Sequence, residues 1–63
     1  MMTVTVWKLD EYGYRKKSYR VYGRVESVSL SEEDCDVLIV KTYFETMEID
    51  MNKYDVEVSV RTF

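Results

Sequence analysis

The strongest constraint on the fold is an alternation of apolar and polar side chains with a period of two residues. Near the C-terminus, one face carries Tyr54, Val56, Val58 and Val60, and the residues between them are polar. This alternation is typical of a β-strand with one buried and one solvated face. The chain contains no proline, so no position lacks the backbone N–H that a β-ladder needs. The sequence therefore predicts an all-β fold.

About five antiparallel strands in simple order account for the pattern. We expect them at residues 3–9, 17–30, 37–43, 46–51 and 54–61. The run Val37-Leu38-Ile39-Val40 is apolar at successive positions, which indicates a central strand covered on both faces. The last three strands, joined by short connections, are predicted to form a meander.

The long segment 17–30 changes its apolar phase midway. Tyr19 and Val21 lie at odd positions, whereas Val28 and Leu30 lie at even positions. A shift of one residue turns side chains to the other face unless a bulge or bend absorbs it, and Gly23 is placed to permit a bend. Before the bend, odd positions are predicted to face inward. The resulting architecture is a strongly bent sheet or small open barrel, SH3-like or OB-like by analogy of strand count and bending.

The size of the chain predicts a single domain, residues 1–63. A domain this small buries only about 60% of the surface that its unfolded chain exposes. One cysteine and no histidine exclude an intrachain disulfide and a Cys/His zinc site, so a homodimer is the remaining way to gain buried surface. No basic leader and no long apolar run is visible. We expect a cytoplasmic protein without membrane contact.

The side chains that most enzymes need are missing from the sequence. There is no histidine for acid–base work near neutral pH, and the two glycines stand apart, so no phosphate-binding loop is present. Pairs of carboxylates occur, but at regular solvent-side positions. The acidic segment 32–36 lacks the spacing of an EF-hand loop. We expect a protein that is not an enzyme and that uses no metal or cofactor.

Charge is divided unevenly along the chain. Residues 1–24 carry six basic and two acidic side chains, and residues 25–63 carry three basic and ten acidic ones. Cations interleaved with aromatic rings are typical of proteins that bind single-stranded nucleic acid. The residues of that alternative site are Arg15, Lys16, Lys17, Arg20, Tyr22 and Arg24, with the even positions of the strand predicted to face solvent. A simpler interpretation is that basic strands pair with acidic strands across one sheet.

The acidic residues favour a different partner. Glu32, Glu33, Asp34 and Asp36 cluster in one connection. A compact acidic surface can occupy a basic groove on another protein, as small phage-encoded inhibitors often do. The leading functional hypothesis is therefore a binding protein that presents a charged, tyrosine-bearing β surface to another protein, as a phage-type inhibitor of a host protein would. A structural subunit that adds an edge strand to a neighbour is a further alternative.

Overall fold

The computed structural model describes residues 1–61, so residues 62–63 of the predicted domain lie outside the described residues. Six antiparallel strands make up the fold, and the prediction of an all-β antiparallel protein is confirmed. The strands are β1 (Met2–Leu9), β2 (Arg15–Tyr22), β3 (Val25–Leu30), β4 (Val37–Thr42), β5 (Thr46–Asp50) and β6 (Tyr54–Val60).

The strands form two three-stranded sheets. The first sheet has the order β2-β1-β6, and the second has the order β3-β4-β5. β4 is central, as its continuous apolar run predicted, and β1 is the centre of the other sheet. The predicted cover on both faces of β4 is incomplete, because Leu38 and Val40 are buried on one face but Val37 and Ile39 are half-buried on the other. Among residues 1–61, hydrogen bonds do not close the strands into a barrel. No helix in this part of the chain is long and apolar enough to cross a membrane.

The segment 17–30 forms two strands rather than one, which raises the strand count from about five to six. The break falls between Tyr22 and Val25, where the phase change predicted a bend. The residue with a left-handed backbone conformation at this corner is Arg24, with φ 53°, and not Gly23. The corner carries the chain from the first sheet into the second, so the phase change coincides with a change of sheet.

The C-terminal strand pairs differently from the predicted meander. β4 and β5 form the expected hairpin, but β6 pairs with β1, in a register that runs from Met2↔Val60 to Lys8↔Tyr54. The N–H of Leu9 donates to the carbonyl oxygen of Lys53 over 2.9 Å. This bond ties the connection before β6 to the end of β1. β1 therefore gains partners on both sides, and its apolar residues become the centre of a sheet.

The hydrophobic core lies between the two sheets. Its buried residues come from four strands: Val4 and Val6 of β1, Val25 of β3, Leu38 and Val40 of β4, and Ile49 of β5. The alternation predicted for β6 is present, because Val56 and Val58 pair with Val6 and Val4 on the same face of the first sheet. That face extends beyond the core, since Val58 is 44% exposed.

Candidate functional site

Three connections meet at one end of the molecule, which we call the acidic end: residues 10–14, 31–36 and 50–53. The N–H of Met51 donates to the carbonyl oxygen of Asp36 over 2.8 Å, which joins the second connection to the third. The bond between Leu9 and Lys53 joins the third connection to the first. Segments far apart in the sequence therefore form one continuous surface.

Each of these connections is built on an aspartate. Asp10 Oδ1 accepts hydrogen bonds from the N–H groups of Tyr12 and Tyr14, both over 2.9 Å. Asp34 accepts from the N–H of Asp36, and Asp50 from that of Asn52, again over 2.9 Å. An aspartate that bonds the backbone two residues later forms an Asx turn. The three turns hold the carboxylates in fixed positions.

The acidic end carries seven carboxylates and one lysine, Lys53. The four residues predicted as an acidic patch are all exposed there. Sequence reasoning missed three further carboxylates of this surface, which belong to Asp10, Glu11 and Asp50. An aspartate at the start of a polar connection is the sequence signal for an Asx turn, but that signal does not show that three such turns lie side by side.

Two tyrosines stand beside these carboxylates. Tyr12 is 77% exposed and Tyr14 is 72% exposed, and the hydrogen bonds of Asp10 fix the backbone of both. Tyrosine is a frequent anchor at protein interfaces because it combines a large apolar ring with a polar hydroxyl. The acidic end thus combines fixed negative charge with exposed aromatic surface.

The predicted basic residues do not share one surface. Arg15 lies on the outer face of the first sheet, where its guanidinium donates to Asp55 and lies 3.9 Å from the Trp7 ring centroid. Its Nη1 is also 3.9 Å from Glu57 Oε2. The hydrogen bond from Arg15 lowers the pKa of the Asp55 carboxyl, and so do the charge of Arg15 and the N–H of Val56. Arg15 thus binds an acidic strand of the same sheet, although β1 lies between β2 and β6 and the two strands do not pair.

The two faces of β2 are the reverse of those predicted. Register places Val6 opposite Arg20 and Trp7 opposite Tyr19. Because Val6 is buried, the even positions of β2 share the inner face, and Tyr22 packs against the core. Tyr19 is 62% exposed on the outer face. The pairing with β1 decides which face of β2 is turned inward, although Tyr22 is the one residue of β2 that is half-buried and not exposed. The composition of β2 alone suggested the opposite face.

A cleft of about 570 Å³ opens between the sheets, and we call it the inter-sheet cleft. Arg20 and Tyr22 line it, together with Lys8 and Tyr54, which sequence reasoning did not select. The other predicted basic residues lie elsewhere. Lys16 and Lys17 are exposed on β2, and Arg24 occupies the corner before β3. Only two of the six residues proposed for nucleic acid binding therefore line the cleft.

The described residues offer no group of three or more His, Cys, Asp or Glu side chains arranged to hold a metal ion. The carboxylates of the acidic end therefore do not form such a group. Comparison with protein-family models, curated proteins and solved structures finds no match to this chain. The surfaces of the molecule therefore carry the information about its function.

Proposed function

We propose that the chain is a non-catalytic binding protein whose acidic end docks on a positively charged surface of another protein. The observation that carries this proposal is the convergence of three Asx turns on one surface. Their carboxylates are held by backbone hydrogen bonds, so little side-chain freedom is lost when a partner binds. A preorganised surface of this kind binds more tightly than an equally charged flexible one.

The partner is expected to present arginine or lysine side chains around an apolar recess. Carboxylates at the acidic end would accept hydrogen bonds from those cations, which are stronger than neutral hydrogen bonds. Tyr12 and Tyr14, the most exposed aromatic residues of that end, would fill the recess and exclude water. Negative charge concentrated at one end also steers the two proteins together, so the association rate should fall with added salt.

An acidic surface that fits a basic groove competes with any nucleic acid that uses the groove. This supports the specific form of the proposal, in which the protein inhibits a nucleic-acid-binding protein as a phage-type inhibitor would. The absence of histidine from the sequence agrees with a role in binding rather than acid–base catalysis. We propose that it acts in the cytoplasm, where its single thiol stays reduced.

The test uses the full chain as bait for proteins of its native host, followed by affinity measurements on the purified partner. The test variant is Glu32→Lys with Glu33→Lys, which leaves all three Asx aspartates in place. The matched control is Glu26→Lys with Glu45→Lys, which changes the net charge equally at exposed positions away from the acidic end. Unfolding curves establish that both variants fold.

We expect the control to bind the partner like the natural chain and the test variant to bind at least about tenfold more weakly, as loss of charge-assisted hydrogen bonds implies. A partner that binds the test variant as tightly as the control contradicts docking through the acidic end. Equal weakening by both variants indicates that only net charge matters, which also contradicts the proposal.

A further inference from the structure

The inter-sheet cleft is a second surface with a different chemistry from the acidic end. Its first wall is the inner face of the first sheet, and its second wall is β5 of the second sheet. Its volume of about 570 Å³ falls within the range of small-molecule sites, roughly 300–1,000 Å³. The cleft is therefore large enough to hold a compact ligand.

Two of the three charged residues that line this cleft are cationic, Lys8 and Arg20, and the third is Glu48. Lys8 of β1 and Arg20 of β2 line the cleft from neighbouring strands. Arg20 lies opposite Val6, and Lys8 lies two residues after Val6, so both are on the inner face of the first sheet. Within residues 1–61, neither forms an ion pair with a carboxylate. Arg15, by contrast, is bound to Asp55 on the opposite face. Two cations against one carboxylate leave the cleft with a net positive charge, which favours an anionic ligand.

The same cleft contains aromatic and apolar surface. Tyr54 lies directly across from Lys8 on the paired strand β6, and its side chain is 36% exposed. Tyr22 lines the opposite side and packs partly against the core. Met47 and Ile49 cover the wall formed by β5. A flat ring that enters the cleft would therefore meet phenol rings and apolar side chains.

Two edge strands border the cleft and leave backbone groups available. Among residues 1–61, β2 and β5 each have one strand partner. Each contributes three consecutive residues to the lining, residues 18–20 and 47–49. An edge strand carries N–H and C=O groups that no neighbouring strand satisfies. Such groups supply the hydrogen bonds that a heterocyclic ring with polar edges requires.

We propose that the inter-sheet cleft binds a nucleotide. The phosphate is held by Lys8 and Arg20, and the base lies against Tyr22 and Tyr54, with its polar edge toward the free backbone groups. Cations for phosphates and aromatic rings for bases are the combination that nucleotide-binding surfaces use. A free mononucleotide and one unit of a single strand have this chemistry in common. The proposal does not depend on the docking of the acidic end.

The experiment titrates the full chain, labelled with ¹⁵N, with adenosine monophosphate, with a hexamer of deoxyadenosine and with tripolyphosphate at low salt. We expect saturable shifts of the backbone resonances of Val6, Lys8, Met47 and Tyr54. If the hexamer binds far more tightly than the mononucleotide, the natural ligand is a single-stranded nucleic acid. Comparable affinities identify the free nucleotide.

Variants separate the cleft from general charge effects. Lys8→Ala with Arg20→Ala should weaken nucleotide binding by at least about tenfold, as loss of charged hydrogen bonds implies. The matched control is Lys17→Ala with Lys41→Ala, at exposed positions that do not line the cleft, and it should bind nearly normally. Tyr54→Leu should weaken binding of the nucleotide but not of tripolyphosphate.

Three results overturn the proposal. These are the absence of saturable binding, tripolyphosphate binding as tight as nucleotide binding, and equal losses in the two double variants. Unfolding curves of each variant exclude loss of the fold as the cause. Nucleotide binding can fail while the acidic end still binds its protein partner, and the reverse is also possible, so the two proposals are tested separately.

Discussion

The hydroxyl group of Thr42 organises the turn between β4 and β5. Among residues 1–61, Thr42 is the buried polar side chain, at 8% exposure. Its Oγ1 accepts hydrogen bonds from the N–H groups of Phe44 and Glu45 and donates to the carbonyl oxygen of Glu45. The turn presents Tyr43 and Phe44 to solvent in an edge-to-face pair, with ring centroids 5.2 Å apart. One side chain thus satisfies three backbone groups.

We predict that Thr42→Val lowers the free energy of unfolding by about 1–3 kcal/mol, because partly buried backbone donors lose their acceptor while the side-chain shape is kept. Urea unfolding measures the loss. Thr46→Val serves as the control, since Thr46 is exposed at the start of β5. A loss no larger than that of the control would show that the hydroxyl does not organise the turn.

The two glycines should respond oppositely to alanine. Gly13 has φ 84°, a conformation that L-residues rarely adopt, whereas Gly23 does not have a positive φ and an added Cβ there meets nothing within 4 Å. We predict that Gly13→Ala destabilises by about 1 kcal/mol and Gly23→Ala stabilises by about 0.4–1 kcal/mol. Thermal unfolding of the two variants checks the signs. The same sign for both would contradict the backbone geometry of the two turns.

The carboxyl of Asp55 makes a small part of the stability depend on pH. Its pKa is below the ordinary value of 3.8, chiefly because Arg15 donates a hydrogen bond to it. Stabilisation by Asp55 is therefore present above that ordinary value and is lost as the pH falls through the lowered pKa. The pair is exposed, so the contribution is under about 1 kcal/mol.

We predict that Asp55→Asn is less stable than the natural chain at neutral pH and equally stable in strong acid. Urea unfolding at the two pH values measures this difference. Trp7 fluorescence should report the same titration, because Arg15 lies over the Trp7 ring. A difference in stability that persists unchanged in strong acid would argue against protonation of Asp55 as its cause.

At the scale of elements, two valines of the sequence differ in burial, because one lies on the central strand β4 and the other on the edge strand β6. Val40 is fully buried at the centre of the second sheet, and Val58 of the edge strand β6 is 44% exposed. We predict that Val40→Ala costs about 2–3 kcal/mol and Val58→Ala under about 1 kcal/mol, in proportion to burial. Chemical unfolding of both variants is the measurement. Similar losses would contradict the exposure of Val58 in the single chain.

Strand existence could be predicted from the sequence, but the faces and partners of some strands could not. β6 alternates cleanly, so its faces follow from local pattern alone. β2 has an apolar residue at an odd position, Val21, and another at an even position, Tyr22. Its pattern therefore allows either set of positions to face inward. Pairing with β1 decides between them, because Val4 lies opposite Tyr22 and is buried. The phase change toward β3 was visible, but the change of sheet that it accompanies was not.

At the scale of the whole molecule, the small size of the domain leaves apolar surface uncovered. Val58 and Val60 lie on the apolar face of the edge strand β6 and are 44% and 64% exposed. We predict a homodimer that forms across this strand, as edge pairing would cover these side chains. Sedimentation equilibrium measures the mass in solution.

The variant Val58→Thr with Val60→Thr should shift this equilibrium toward single chains, because threonine keeps the β-branched shape and lowers the apolar area. Val21→Thr is the control, at a position 54% exposed on the other edge strand, β2. The mass of one chain at high protein concentration would contradict the dimer. A shift caused equally by the control would place the contact elsewhere.

The sequence by itself determined the all-β class, the central position of β4, the bend near Gly23 and the acidic character of residues 32–36. These features depend on local periodicity and composition, which the chain carries without its fold. Only the tertiary structure decided that β6 joins β1, that Arg20 and Tyr22 line a cleft, and that Asp10 and Asp50 extend the acidic end. The physical reason is that these features depend on contacts between residues far apart in the chain.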